Sequence, residues 1–430
     1  MQLTRSGLPP SVLQLNRRPA ILPSSSPRFI CPSKSTDIDR SLTSRQTIGV
    51  GVGNAQASPT SALLLHILQD ISGRLATILF AHRVGTALEP ECKTYRLAAD
   101  VFNDIAMILD CLSPGVLAGP MRVAILSMAG VLRALCGVAG GSSKASLSAH
   151  FARSGNLAEL NAKDSSQETI ISLFGMLVGS VVISHVNSFT TTWLILLTLL
   201  ALHLSTNYAA VRAVQMTSLN RQRADITFST LFSSDKRLNP YLTSNQIGES
   251  RSTDPNTNTN TKNPIILTPA QVSKQERIFH RGGALQWTQS SPSSSPRTHH
   301  LGSAQIGVSI STFLHESSTH FESLVSLFTD EEYILHLSPS TSLSYPKWNA
   351  VILLKQGCPV TSQLKAWAHA LLAARILSHS DSPAEALPCI RRSLHLLNTE
   401  SRFEEYLAGL RGAGWNLDIA ALETRGWEEN

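Results

Sequence analysis

Residues 169–211 contain no Asp, Glu, Lys or Arg. A run of that length holds two apolar helices of about 17–20 residues each, close to what the hydrocarbon core of a bilayer demands. The first is expected over 170–186 and the second over 189–206, with Asn187 and Ser188 at the turn. The pattern predicts a tight helical hairpin in a bilayer. Its alternative is a hairpin buried in a large soluble helical core, because each half lies at the short end for a span. Lys144, Arg153 and Lys163 precede the pair, and Arg212, Arg221 and Arg223 follow it, a distribution that sets both flanks at one membrane face.

Weaker apolar stretches lie upstream, over 62–80, 97–112 and 116–141. They are interrupted by Asp70, Arg74, Asp100, Asp104, Arg122 and Arg133. Helices so interrupted must turn their charges toward one another or toward water, which makes them bundle members rather than simple anchors. From 233 to 302 the sequence shifts to Ser, Thr, Asn and Pro, including DPNTNTNTKNP from Asp254 and SSPSSSPR from Ser290. That composition predicts a linker without a core. Beyond it, 333–337 and 350–355 read as strands, and 361–377 as a helix with Leu364, Trp367, Ala368, Leu371 and Leu372 on one face. The expected fold is mainly α: a membrane-associated helical bundle with a helical hairpin, then a disordered linker and a small α+β C-terminal domain. The divisions fall at 1–45, 46–232, 233–302 and 303–430.

With 42% hydrophobic and 15% charged residues in 430, the chain can bury substantial cores. The net charge of +6 comes from scattered basic residues with no nucleic-acid motif, so nucleic acid is not an expected partner. Cys31, Cys92, Cys111, Cys136, Cys358 and Cys389 form neither a CxxC pair nor a metal-finger spacing, so no metal site and no disulfide scaffold are expected. The first 36 residues carry Arg5, Arg17, Arg18, Arg28 and Lys34 and no acid, with much Ser and Pro. Such a segment is either an organellar transit peptide or a disordered leader. The first reading directs a multi-pass protein to a mitochondrial or plastid membrane.

Two polar clusters stand out. Asp100, Asn103 and Asp104 share one helical face, with Arg96 one turn earlier. Carboxylates so placed could bind a cation, relay protons, or pair with basic groups such as Arg122 or Arg133. Lys163, Asp164, Gln167 and Glu168 repeat at helical spacing just ahead of the apolar run. They form either a polar collar at the membrane surface or, with positive charge from Lys144, His150 and Arg153, the mouth of an anionic-ligand site.

Gly137 with Gly141, and Gly175 with Gly179, have the small-xxx-small spacing that lets helices pack closely. The alternative is that Gly137, Gly140 and Gly141 break a helix and present amides to a ligand. The Gly49, Gly51, Gly53 series lacks the third glycine of a dinucleotide loop and has no βαβ unit around it. There is no GxSxG or HExxH motif, and His66, His82 and His203 on apolar helices read as satisfied core residues. No catalytic residue is identified, and a non-enzymatic protein is expected.

Five segments resemble the Root UV-B Sensitive (RUS) family in order and spacing. They are GVGVGNAQASP from Gly49, YRLAADVFNDIAMILDCLSP from Tyr95, GVAGGSSKASLSAHFA from Gly137, AKDSSQETIISLFGMLVG from Ala162 and NYAAVRAVQMTSLNRQR from Asn207. A weaker likeness extends into GAGWNLDIAAL from Gly412. The family's aromatic-rich segment ahead of the first motif is replaced here by leader-like sequence. Asn54 stands where the family has an acid, and Ser142, Ser143 and Lys144 replace an Ala-Thr-Arg triplet, preserving the positive charge.

The resemblance implies a role in vitamin B6 homoeostasis, with pyridoxal phosphate as a ligand rather than a cofactor. It also implies ties to ultraviolet-B responses and plastids, and association with itself or another RUS protein. Binding or transport of a small anionic metabolite is the expected function. The alternative is a non-catalytic membrane scaffold acting through protein–protein association.

Overall fold

Long helices follow the apolar sequence because straight-chain and small residues fill them and few prolines interrupt them. A computed structural model describes residues 59–116, 120–152, 155–186, 188–242, 264–280, 282–291, 294–317, 320–340, 348–378 and 386–422. The leader, the Gly49–Gly53 series, Asn187 and Arg153 lie outside them. The N-terminal half is α1 (Pro59–Val84), α2 (Cys92–Leu112), α3 (Pro120–Phe151), α4 (Leu157–His185) and α5 (Phe189–Ala213). Of these, α3, α4 and α5 are long and apolar enough to cross a membrane.

Helix α3 packs lengthwise against α1 and α2, and α5 lies on α2. The α2–α3 contact is made of small residues, with Ala99, Ala106, Ala129, Cys136, Ala139 and Ser143 buried. A Cβ on Gly140 would meet that of Ala99 at 3.6 Å, and one on Gly73 would meet that of Ala134 at 3.6 Å. The glycines singled out from their spacing are not the ones at these contacts within the chain. A Cβ on Gly137, Gly141, Gly175 or Gly179 would meet nothing within 4 Å among the described residues. Spacing shows that small residues share a face but not which face meets a neighbour. Nor do the α3 glycines break their helix, since α3 runs through all of them.

The remainder is an α+β unit. Strands β1 (Ala284–Ser291), β2 (Ser294–Ile306), β3 (Tyr333–Pro339) and β4 (Trp348–Leu354) form one sheet in the order β1-β2-β4-β3. The β2–β4 pair is parallel and the other two are antiparallel. Helix α6 (Arg221–Ser234) precedes the sheet, and α7 (Pro269–Gln275), α8 (Ile310–Ser317) and α9 (Phe321–Leu327) punctuate it. Helices α10 (Val360–Leu377), α11 (Ala386–Asn398) and α12 (Arg402–Gly412) complete it. Helix α10 sits at the centre, burying Leu364, Trp367, Leu371 and Leu372 with an alanine-rich surround. The expected strands and α10 form within two residues of their sequence-based bounds.

The linker expected over 233–302 is corrected where it is described: α7, β1 and most of β2 lie inside it. The division at 232 also moves, because α6 belongs to the core of the α+β unit, with Phe228, Leu231 and Phe232 fully buried there. Both elements are polar in sequence. Asp225 Oδ2 accepts from the backbone N–H of Gln286 at 2.8 Å, and Ser229 Oγ accepts from that of Thr288 at 3.2 Å. Side chains of α6 thereby satisfy donors of β1, and polarity that looked like solvent exposure serves burial instead.

Candidate polar seam and junction

The face predicted from Asp100, Asn103 and Asp104 exists and is turned inward. The three residues are 7%, 7% and 3% exposed, and on α5, which packs on α2, His203 and Asn207 are each 5% exposed. His203 Nδ1 lies 3.0 Å from the Asp104 carboxylate, and Arg96 Nη1 lies 3.1 Å from Asp100 Oδ1 one turn earlier on α2. Leu97 packs with Val211 near one end of the pair and Asp104 meets His203 further along. The two contacts make α2 and α5 antiparallel and set Asn207 level with Asp100. Charges that leave water this completely require partners. The arginines offered from sequence as those partners serve other contacts: Arg133 pairs with Asp110, and Arg122 donates to the carbonyls of Val116 and Pro114.

The second cluster divides. Lys144 Nζ on α3 reaches Asp164 at 2.7 Å and Glu168 at 2.9 Å on α4. Lys163 turns outward to Glu159 at 2.5 Å, and Gln167 is exposed. His150 Nε2 lies 3.1 Å from the carbonyl of Gln215. The structure does not gather these residues into one mouth. Lys144 thereby ties α4 to α3 through two carboxylates.

Where α2 begins, a buried polar junction joins the helices to the α+β unit. Lys93 Nζ lies 2.5 Å from Glu276 Oε2, and Arg223 Nε lies 3.4 Å from Glu276 Oε1. Arg223 also donates to the carbonyls of Ser218 at 2.7 Å and Pro90 at 3.1 Å. Asn220 caps α6 by accepting from the N–H of Arg223 at 2.9 Å, and its amide donates to Glu91 at 2.9 Å. Burial holds the Lys93 ammonium below its ordinary value, with Glu276 opposing that shift. The segment from Gly412 closes the same region: the N–H of Asn416 donates to the carbonyl of Thr217 at 3.0 Å.

Sequence reasoning found the acidic face but missed Asn207 as its neighbour, and it read His203 as an ordinary core residue. His203 is satisfied, as expected, yet its partner is the candidate acid itself. The junction residues Lys93, Asn220, Arg223 and Glu276 were not singled out as a site. The one signal available was Asn followed by a helix-forming run at 220, which marks a cap and not a contact.

Residues 33–235 match the profile of the vitamin B6 photo-protection and homoeostasis domain. RUS family member 1 of Dictyostelium discoideum is 41% identical over 183 residues, which is 42% of this chain and 34% of that protein. Protein root UVB sensitive 3 of Arabidopsis thaliana is 27% identical over 385 residues, 89% of this chain and 75% of the relative. Root UVB sensitive 5 of the same plant is 27% identical over 196 residues, covering 43% and 38% respectively. The chain thus spans about a third of the Dictyostelium protein and three quarters of root UVB sensitive 3. No solved structure matches it significantly.

Proposed function

We propose, from the premise that this chain belongs through residues 33–235 to the vitamin B6 photo-protection and homoeostasis (RUS) family, that its helical half is a multi-pass membrane unit carrying a small anionic metabolite. The observation behind this reading is the seam between α2 and α5. Asp100, Asn103, Asp104, His203 and Asn207 are buried between helices whose outer faces expose large apolar residues such as Leu194 at 65% and Leu202 at 60%. Ionisable groups inside an apolar bundle are expensive, and in membrane proteins they line substrate and ion paths. A protein linked to vitamin B6 homoeostasis has a phosphorylated vitamer as its natural candidate ligand. The protein is then a carrier and not an enzyme, and pyridoxal phosphate is cargo and not cofactor.

A scaffold is the second reading, favoured by α4. Its apolar window has no buried residue, and Phe174, Leu177 and Val181 are at least 60% exposed. Those surfaces suit lipid or a second RUS-family helix.

Uptake of labelled pyridoxal phosphate into vesicles carrying the purified chain separates the two. The carrier reading expects uptake well above protein-free vesicles, reduced at least ~10-fold by Asp104→Asn, the order of a lost charge-assisted contact, at unchanged protein abundance. Equal uptake with and without protein, or an Asp104→Asn defect confined to abundance and complex formation, favours the scaffold.

A further inference from the structure

The seam has a feature that bears on how an anion could pass two carboxylates. Arg96, Asp100 and Asp104 follow one another at successive turns of α2, and His203 faces Asp104 from α5 at 3.0 Å. No other Asp, Glu, Lys or Arg lies on α5 before Arg212. From α3, which also packs on α2, Arg133 is engaged with Asp110 and Lys144 with Asp164 and Glu168, and α7, which packs on α5, brings Lys274 beside Arg212 at the far end of α5. Among the described residues, the charged contacts at this seam are made by one guanidinium, two carboxylates and one imidazole. Together they are negative by one when His203 is neutral and balanced when the Asp104–His203 pair holds one more proton. A net negative seam repels an anion, and a balanced one admits it.

A second observation points to a ligand at the same place. The side-chain nitrogen of Asn207 is buried with no hydrogen-bond partner among the described residues, although Asn207 is only 5% exposed. It lies one turn from His203 and level with Asp100. A buried amide N–H left without an acceptor is costly, and an anionic oxygen entering the seam would supply one.

We infer that the Asp104–His203 pair takes up a proton as the anionic ligand enters the seam and gives it up as the ligand leaves, so that carriage is proton-coupled. This rests on the carrier reading above. The proton resides on the imidazole or shared with the carboxylate during passage, and the amide of Asn207 donates to the anion. No bond other than that to the proton is made or broken. Histidine suits the task because its charge changes near neutral pH.

The test uses the full chain in phosphatidylcholine vesicles with a trapped pH dye, starting at equal pH on both sides. Adding labelled pyridoxal phosphate is expected to acidify the lumen as label enters, whereas uncharged pyridoxine produces no acidification. Asp104→Asn and His203→Gln should abolish the acidification, and Asp104→Glu should retain it. Entry of label with no change in lumenal pH, at rates equal at about pH 6 and about pH 8, would overturn the inference and leave the carrier reading standing. Absence of any protein-dependent entry would overturn both. Because the ligand's own phosphate can carry a proton, the Asp104→Asn and His203→Gln arms decide between the two proton sources. Acidification undiminished in variants that still admit label overturns the inference, and its retention in the conservative Asp104→Glu shows that loss is not misfolding.

Discussion

Among single residues, those whose chemistry depends on a local repeat were legible and those that depend on a distant partner were not. The i, i+3, i+4 spacing of Asp100, Asn103 and Asp104 was enough to place them on one face, and all three are buried. His203 is 99 residues from Asp104, and nothing in its own neighbourhood marks it as the group that would meet the acid. The same holds for Lys93 and Glu276, which are 183 residues apart.

His369 in α10 offers a test of burial at this scale. Its Nδ1 lies 3.1 Å from the Tyr333 hydroxyl and its Nε2 lies 2.8 Å from Ser393 Oγ, and desolvation pushes its pKa down to about 3. As pH falls through 6.5, its ordinary value, the unfolded chain gains a proton that the folded imidazole refuses. The contribution of His369 is thus complete above that pH and lost progressively toward the folded value, at up to about 1.4 kcal/mol per pH unit. Denaturant unfolding followed by tryptophan fluorescence should show a shallower loss of stability below that pH in His369→Gln than in the wild type. Identical slopes would show that His369 is not held neutral by burial.

Whole elements were readable where hydrophobic periodicity and composition agreed. Helices form over each predicted apolar stretch, and β3, β4 and α10 fall where the pattern predicts them. But α3 and α4 extend well beyond their expected bounds, and among the described residues α4 and α5 do not pack on one another as the expected tight hairpin. Helix α6 and the β1–β2 pair were missed because Ser, Thr, Asp and Gln dominate them, and the backbone donors those side chains satisfy belong to other elements. The glycine pairs were legible as stripes, but the helical glycines whose added Cβ would touch a neighbouring helix are Gly140 and Gly73.

A test of element α5 follows from its exposed apolar face. Leu197 is 51% exposed, and in a bilayer Leu197→Arg places a charge near the middle of the helix, opposing insertion by about 2.5–3.5 kcal/mol. A glycosylation-mapping insertion assay should find the α5 segment largely excluded from the membrane in that variant. On a soluble surface the same change is tolerated, so unaltered topology and expression would remove α5 from the list of spans.

At the scale of the whole molecule, the chain is an apolar helical half attached to an α+β unit through the Lys93–Glu276–Arg223 junction, with lipid-like surface on one part and a conventional core in the other. The matched profile covers the described helices of the helical half and α6, so it contains Lys93 and Arg223 of the junction but not Glu276. Composition foretold both halves because their hydropathy differs so sharply. It could not foretell the junction, which is assembled from charged residues scattered over the chain.

Carriage across a membrane requires first that the helical half be embedded in a bilayer. The direct measurement is alkaline carbonate extraction of membranes from cells expressing the full chain. The chain is expected to stay in the membrane pellet and to be released only by detergent, because α3, α4 and α5 are long and apolar enough to span and expose large apolar side chains such as Phe174, Leu177 and Leu194. Release into the carbonate supernatant would contradict that embedding, and the carrier function would fall with the membrane.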